Sequence, residues 1–301
     1  MGSSLGLYHF LKDLRQLVTV ITPTDYPAFL KWMPGKKQVE IYPFKKMKSQ
    51  RFIEEADYIF CLDFNDLSRI EPLDSFVAAA RGTKIMIDHH TNPSGFEDIR
   101  FWDDKASSTC ELIYRLIVEE WGEGEHLTQD IAACLYTGIM TDTGSFRFNS
   151  TTPAVHRIVA GLMETGMEAH TIHEKVYDSF SENRLRLLGY CLLNCLRIVP
   201  EKQAAYFIIP KSVTTEFSME AGDTEGLVNY ALSMKGIRFA TLMLEDEDRV
   251  KMSFRGKEGF IVNIFAGNFQ GGGHIYASGG KSFLSLEETE QKFLTLLHQM
   301  E

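Results

Sequence analysis

The segment KIMIDHH, residues 84–90, joins a short apolar run to one carboxylate and two imidazole side chains. The run IMI has the length and apolar character of a buried strand, and Asp88 stands where such a strand would end. His89 and His90 follow directly. Acidic and imidazole groups at the carboxyl end of a buried strand are typical of a ligand or metal site in an α/β fold.

The surrounding sequence supports that fold. Runs of strand length alternate with segments of helix or turn character, which predicts a parallel sheet. The predicted strands are residues 17–22, 38–42, 57–64 and 83–88. The predicted helices are residues 2–16, with Ser3 or Ser4 as the cap, 106–120, capped by Ser107, Ser108 or Thr109, 129–141, and a long stretch over 170–196.

The residue pattern of the sequence changes near residue 204. AAYFIIP (204–210), FATLMLE (239–245) and VKMSFRG (250–256) alternate like strands, and the acidic turn DEDR joins the last two. The sequence therefore predicts a parallel-sheet domain over residues 1–180, a linking helical region over 181–203, and a smaller α+β domain over 204–301.

Size and composition limit the classes of function. The 301 residues suffice for one large domain or two ordinary ones, and the net charge of −10 argues against a protein that binds duplex nucleic acid. Five cysteines lie mostly in apolar segments, which indicates reduced core thiols, although Cys191 and Cys195 at helical spacing leave a metal pair as an alternative. We expect a cytoplasmic protein, since no membrane span or signal peptide is visible.

Further polar residues stand at the ends of other elements. Asp63 closes the predicted strand 57–64, and Asp142 follows the helix 129–141. Because the carboxyl ends of parallel strands open on one crevice, Asp63, Asp88, His89 and His90 should meet there. Such a cluster suits a divalent ion such as manganese, and two ions sharing a carboxylate would clamp a phosphoryl group. The alternative for each residue is a helix cap or a hydrogen-bonded turn.

A second candidate site is FQGGGHIYASGG, residues 269–280. Gly271, Gly272 and Gly273 would let backbone N–H groups approach an anion closely, and we attribute them to that role rather than to packing. His274 can donate to a phosphate, and Arg255 is a candidate partner for the same phosphate. A flexible hairpin loop is the alternative.

These motifs together resemble the DHH phosphoesterases, most closely the bacterial oligoribonuclease and pAp-phosphatase branch (the nanoRNase, NrnA-like type). The resemblance covers essentially the whole chain. Its motifs are LDFN (62–65), IDHH (87–90), LYTGIMTDTGSFRF (135–148), EGLVNY (225–230) and GGGHIYASGG (271–280). It implies two domains with a cleft between them and a pair of Mn²⁺ ions in the first.

The resemblance also implies roles for single residues. Asp63 corresponds to a carboxylate that bridges both metals, and His89 and Asp142 correspond to ligands of one of them. His90 would lie beside the substrate phosphate, with Asp88 orienting a histidine. The GGGH segment and Arg255 would hold the nucleotide in the second domain.

The implied reaction is attack of a metal-activated hydroxide on a phosphodiester or phosphomonoester. The expected partners are short RNA or nucleotides such as 3′-phosphoadenosine 5′-phosphate (pAp), without membrane or duplex nucleic acid, and a homodimer is left open. The alternatives are a phosphodiesterase for linear or cyclic dinucleotides and a nucleotide-binding protein without catalysis. A RecJ-type exonuclease fits the short acidic chain less well, and the GGGH segment argues against a pyrophosphatase.

Two departures from the family pattern affect these expectations. Relatives carry H-x-x-P-D-G-D just before a helix that begins GSSLGL, whereas this sequence starts at Met1 with that helix. We therefore expect a strand and a His/Asp-rich turn upstream of Met1 in the complete protein. As given, Asp63, His89 and Asp142 would hold one metal. Gly267 stands where relatives often have arginine.

Overall fold

The computed structural model describes residues 1–257 and 259–300; Glu258 and Glu301, both within the predicted second domain, lie outside that description. The chain forms two compact units, Met1–Ser179 and Phe180–Glu301.

The first unit is built on parallel strands, as the alternating pattern predicted. β1 and β2 form a parallel pair, and a separate three-stranded parallel sheet has the order β3–β4–β5. The strands are β1 (Val20–Thr22), β2 (Val39–Ile41), β3 (Tyr58–Leu62), β4 (Thr83–Asp88) and β5 (Ile99–Trp102).

Seven α-helices accompany these strands. They are α1 (Gly2–Asp13), α2 (Lys46–Glu55), α3 (Asp74–Ala79), α4 (Thr109–Arg115), α5 (Gln129–Asp142), α6 (Pro153–Glu164) and α7 (Ala169–Tyr177). A π-helical turn, Leu116–Glu120, extends α4. Short 3₁₀ turns occupy Ala28–Leu30, Lys36–Gln38, Tyr42–Phe44, Leu67–Ile70 and Gly124–His126. Apolar side chains of α1, α4, α5 and α6 form the main core of this unit.

The second unit is a six-stranded sheet of order β10–β11–β9–β8–β7–β6. Among the described strand pairs of this sheet, only β7 and β8 are parallel, and the other neighbouring strands are antiparallel. The strands are β6 (Leu196–Val199), β7 (Ala204–Ile209), β8 (Phe239–Glu245), β9 (Val250–Gly256), β10 (Gly272–His274) and β11 (Ala277–Ser282).

Helices cover both faces of this sheet. They are α8 (Glu182–Tyr190), α9 (Lys211–Glu216), α10 (Leu227–Ser233), α11 (Val262–Gly267) and α12 (Leu286–Gln299). A π-helical turn, Cys191–Cys195, follows α8, and a 3₁₀ turn occupies Pro200–Lys202. Side chains of α8 and α10 pack on one face, and side chains of α11 and α12 pack on the other.

Several local expectations were wrong for physical reasons. Ser3 and Ser4 do not cap α1 but lie within it, and α1 ends at Asp13, shortly before the left-handed backbone of Arg15 (φ 59°). The long helix expected over 170–196 is interrupted. The hydroxyl of Ser181 accepts a hydrogen bond from Arg184 N at 3.0 Å and begins a new helix there. The sheet of the second unit also begins before residue 204, because β6 pairs with β7.

Other expectations are confirmed. Ser108 caps α4, with its hydroxyl accepting from Glu111 N at 3.1 Å. All five cysteines are free and buried.

Among the described residues, no helix combines the length and apolar character needed to cross a bilayer.

Candidate active site

Asp63 stands immediately after β3, with its backbone in the left-handed region at φ 70°. Its N–H donates to Ile87 O at 3.1 Å, which holds the residue against the neighbouring strand. The Thr109 hydroxyl donates to Asp63 Oδ1 at 2.9 Å. A strained non-glycine backbone supported by two hydrogen bonds is a common feature of functional sites, and it fixes this carboxylate at the carboxyl end of the sheet.

The sequence did not predict the contact between Thr109 and Asp63. The sequence indicates Thr109 only as a candidate cap of α4, whereas the structure makes it the first residue of that helix. Its hydroxyl reaches Asp63, 46 positions earlier in the chain. No local pattern signals a contact at that separation.

His89 lies 3.7 Å from Asp63, measured from Nε2 to Oδ1. Its Nδ1 is 3.1 Å from Ala106 O, and because a carbonyl can only accept, Nδ1 carries the proton. Burial lowers the pKa of His89, against the raising effect of Asp63 and of the Ala106 carbonyl. The ring is therefore held neutral with Nε2 directed at Asp63, which is the form that ligates a metal.

Asp142 reaches the same place from the end of α5. Gly138, one turn earlier, allows close helix packing, because a Cβ there would lie 2.1 Å from the Cys110 Sγ of α4. One ligand atom each from Asp63, His89 and Asp142 lies within 4.8 Å of the others. Asp63 and Asp142, together with Thr109 and others, line a cavity of about 90 Å³.

Asp88 and His90 form a second pair beside Asp63. His90 Nδ1 lies 2.7 Å from Asp88 Oδ1, and Asp88 is fully buried. Its other oxygen, Oδ2, has no hydrogen-bond partner among the described residues. Ligand atoms of Asp63, Asp88 and His90 also lie within 4.8 Å of one another, so this group and the first group share Asp63.

These side chains fit a divalent metal. A buried carboxylate oxygen without a donor is costly, and a cation is one way to compensate it. Carboxylates combined with neutral imidazoles suit ions of the manganese type. The structure thus brings together the four residues that the sequence placed at this crevice, Asp63, Asp88, His89 and His90, and adds Asp142, which the family resemblance implied as a ligand.

The second unit carries a further group of polar residues. The register aligns Arg255 of β9 with Ala277 of β11, and Ala277 with His274 of β10. Paired residues of neighbouring strands point to the same side, so Arg255 and His274 share one face about two strand spacings, or ~10 Å, apart. Burial lowers the pKa of Arg255, against the effect of Glu225.

The two faces of β9, β10 and β11 differ sharply in composition. The face that carries Arg255 consists of small and cationic residues: Lys251, Ser253, Arg255, Gly272, His274, Ala277, Gly279 and Lys281. The alternate residues of β9 on the other side, Val250, Met252 and Phe254, are buried in the core. The Arg255 face is therefore suited to an anion.

The structural reason for the three glycines, Gly271 to Gly273, differs from the one predicted. It is not a loop, since β10 begins at Gly272 and pairs with β11. A Cβ at Gly271 would lie 2.0 Å from Gly279 O, and one at Gly273 would lie 2.8 Å from Ala277 O. The expectation that packing plays no part was therefore wrong for Gly271 and Gly273, whereas the binding of a ligand by the three glycines stays a prediction. A Cβ at Gly272 meets nothing within 4 Å, which leaves its backbone open to a ligand.

This difference gives a matched pair of variants. Gly271→Ala should lower the free energy of unfolding by about 3 kcal/mol, because the strands must separate to admit the methyl group. Gly272→Ala should change it by less than about 1 kcal/mol, because the methyl group enters open space. Urea unfolding of both variants is the measurement. Equal destabilisation would contradict the structural distinction between the two glycines.

Comparison with known proteins agrees with these observations. A model of the DHH family N-terminal domain matches residues 1–139, and one of the DHHA1 domain matches residues 202–300. The chain is 32% identical to "Bifunctional oligoribonuclease and PAP phosphatase NrnA" of Bacillus subtilis, over 96% of this chain and 87% of that protein. It is 29% identical to the protein of the same name from Thermus thermophilus, over 99% and 85%.

A solved structure is also similar. The crystal structure of an exopolyphosphatase-related protein from Bacteroides fragilis superposes with a TM-score of 0.91 at 41% identity, covering 99% of this chain and 87% of that one. Family models at both ends of the chain, and relatives that align over nearly its whole length, lead to one assignment. The chain belongs to the DHH family of phosphoesterases.

Proposed function

We propose that this protein is a manganese-dependent phosphoesterase that hydrolyses very short oligoribonucleotides and pAp. The observation that carries the proposal is the convergence of Asp63, His89 and Asp142, whose ligand atoms lie within 4.8 Å of one another. The names of the Bacillus and Thermus relatives supply the substrate class.

Asp63 is proposed as a carboxylate that serves two metal positions. It belongs to the group with His89 and Asp142, which would hold one ion, and the resemblance to the DHH phosphoesterases implies the second. Bound divalent ions would supply polarisation of the phosphoryl oxygen and a lowered pKa for water. Thr109, by donating to Asp63 Oδ1, fixes the orientation of that carboxylate.

His90 is proposed to contact the substrate phosphate. The Asp88 carboxylate accepts from Nδ1–H of His90, which keeps the proton on that nitrogen and turns Nε2 away from Asp88. A charged His90 ring would then donate from Nε2 to a phosphate oxygen, and the buried negative charge of Asp88 would stabilise it.

The second unit is proposed to bind the rest of the substrate. Arg255 and His274 share a face, and the open backbone of Gly272 lies on the same strand as His274. A guanidinium and an imidazole at this spacing can hold a second phosphate. Both the division into a chemical and a binding unit and the roles of these residues are part of the proposal.

The experiment that tests this function is a substrate panel with Mn²⁺. We expect hydrolysis of pAp and of two- to five-nucleotide RNA, and little action on RNA of several tens of nucleotides, because the net charge of −10 repels a long polyanion. Short polyphosphate belongs in the panel because of the name of the Bacteroides relative.

Each outcome of the panel is informative. Comparable turnover on long RNA would replace the proposal with a processive exonuclease. Preference for polyphosphate over pAp would show that the substrate carries no nucleoside. Absence of turnover on every substrate with added Mn²⁺ would favour a nucleotide-binding role for this chain.

A further inference from the structure

Trp102 occupies a position at the edge of the candidate active site that the roles described above do not use. It is the last residue of β5 and is the register partner of Asp88 on β4, about 4.8 Å away across the strand pair. Its indole N–H donates to His90 O at 2.7 Å. The ring is thereby fixed beside the segment that carries Asp88, His89 and His90.

The surroundings of the Trp102 ring differ from those of the other two tryptophan rings. Trp121 stacks on Phe10, with ring centroids 5.5 Å apart and planes inclined by 19°. Trp32 has the Lys175 ammonium 4.7 Å from its ring centroid. Trp102 is 37% exposed, and nowhere in residues 1–257 or 259–300 does the structure place an aromatic ring or a cation over it.

A partly exposed indole that is held by a hydrogen bond can serve as a preorganised stacking surface. Its hydrogen bond to a backbone carbonyl removes rotational freedom before any ligand arrives, which lowers the entropic cost of binding. Flat aromatic faces bind nucleobases by stacking without requiring a particular base. A purine covers more of an indole face than a pyrimidine does.

We propose that Trp102 is a nucleobase subsite, on which the base of the nucleotide whose phosphate lies at His90 stacks, with purines preferred. The proposal rests on the proposed function, since it assumes a nucleotide substrate. It assigns to the first unit a contact with the base, in addition to its contacts with the phosphate.

Three variants separate stacking from the hydrogen bond. Trp102→Leu removes the ring and the N–H, Trp102→Phe keeps an aromatic face but removes the N–H, and Trp121→Leu is a control at a surface tryptophan outside the site. The substrates are pAp and its base-free counterpart, ribose 3,5-bisphosphate, with phosphate release as the readout.

Stacking predicts a specific pattern. Trp102→Leu should raise KM for pAp on the order of tenfold and leave KM for ribose 3,5-bisphosphate unchanged. Trp102→Phe should stay within about threefold of the unaltered protein on both, because its ring can still stack. Trp121→Leu should match the unaltered protein. If the Leu and Phe variants are impaired equally, and on both substrates, Trp102 acts only by holding His90 O, and the proposal is overturned.

A binding measurement separates this proposal from the proposed function. In a Trp32→Phe/Trp121→Phe double variant, Trp102 is the sole tryptophan. AMP should quench its fluorescence and ribose 5-phosphate should not. Quenching by AMP in a protein that does not hydrolyse pAp would support the base subsite while the proposed activity fails. Equal responses to both probes, or none, would overturn the subsite.

Discussion

Asp63→Ala is expected to lower metal-dependent hydrolysis of pAp on the order of a thousandfold or more. The carboxylate is a member of the ligand group with His89 and Asp142 and is proposed to serve a second metal position as well, so its removal weakens both positions at once. The hydrogen bond from Thr109 would lose its acceptor but the fold should persist, because the Asp63 side chain is 41% exposed. Single-turnover and steady-state rates with saturating Mn²⁺ are the measurements.

Asp66→Ala is the matched control for this variant. Asp66 lies in the same loop, and its side chain accepts from Ser68 N at 2.8 Å, which caps a 3₁₀ turn. Its loss should cost about 1 kcal/mol of stability and leave turnover near that of the unaltered protein. If Asp63→Ala behaves like Asp66→Ala, then Asp63 is a turn residue and the proposed metal centre is wrong.

Asp88→Asn is expected to lower kcat for pAp by about 10- to 100-fold. Asparagine preserves the size of the buried side chain, and its Oδ1 can still accept from His90 Nδ1–H. What it removes is the negative charge that would stabilise a protonated His90 ring beside the phosphate. The effect should fall mainly on kcat, with a smaller change in KM, if the charge matters most in the transition state.

The contrary result for Asp88 is also specific. A kcat close to that of the unaltered protein would show that His90 needs only a hydrogen-bond acceptor. Circular dichroism of the variant should be unchanged, since the substitution is nearly isosteric at a fully buried position.

Much of the catalytic half of the protein was predictable because its signals are local. β4 runs over the same residues, 83–88, that the apolar run predicted, and α5 ends within one residue of the expected boundary. The clustering of Asp63 with Asp88 then follows from geometry, because Asp63 follows β3, Asp88 ends β4, and these two strands are adjacent and parallel.

What could not be predicted depends on contacts between distant residues. The hydrogen bond from Thr109 to Asp63 and the packing of Gly271 against Gly279 are invisible to periodicity. The exposed ring of Trp102 likewise becomes meaningful only when β5 is placed beside β4. The interruption of the helix before Ser181 did carry a local capping signal, and the apolar pattern on both sides concealed it.

The most direct test of the metal centre is a titration with Mn²⁺ in a calorimeter. It compares the unaltered protein with two variants, His89→Ala and Arg255→Ala. Arg255 lies in the second unit and belongs to none of the ligand groups, so its variant is the control. We predict that the unaltered protein and Arg255→Ala bind Mn²⁺ alike, and that His89→Ala binds it at least tenfold more weakly, because the buried neutral imidazole facing Asp63 is lost. Equal binding by all three proteins would contradict the assignment of Asp63, His89 and Asp142 as a metal site.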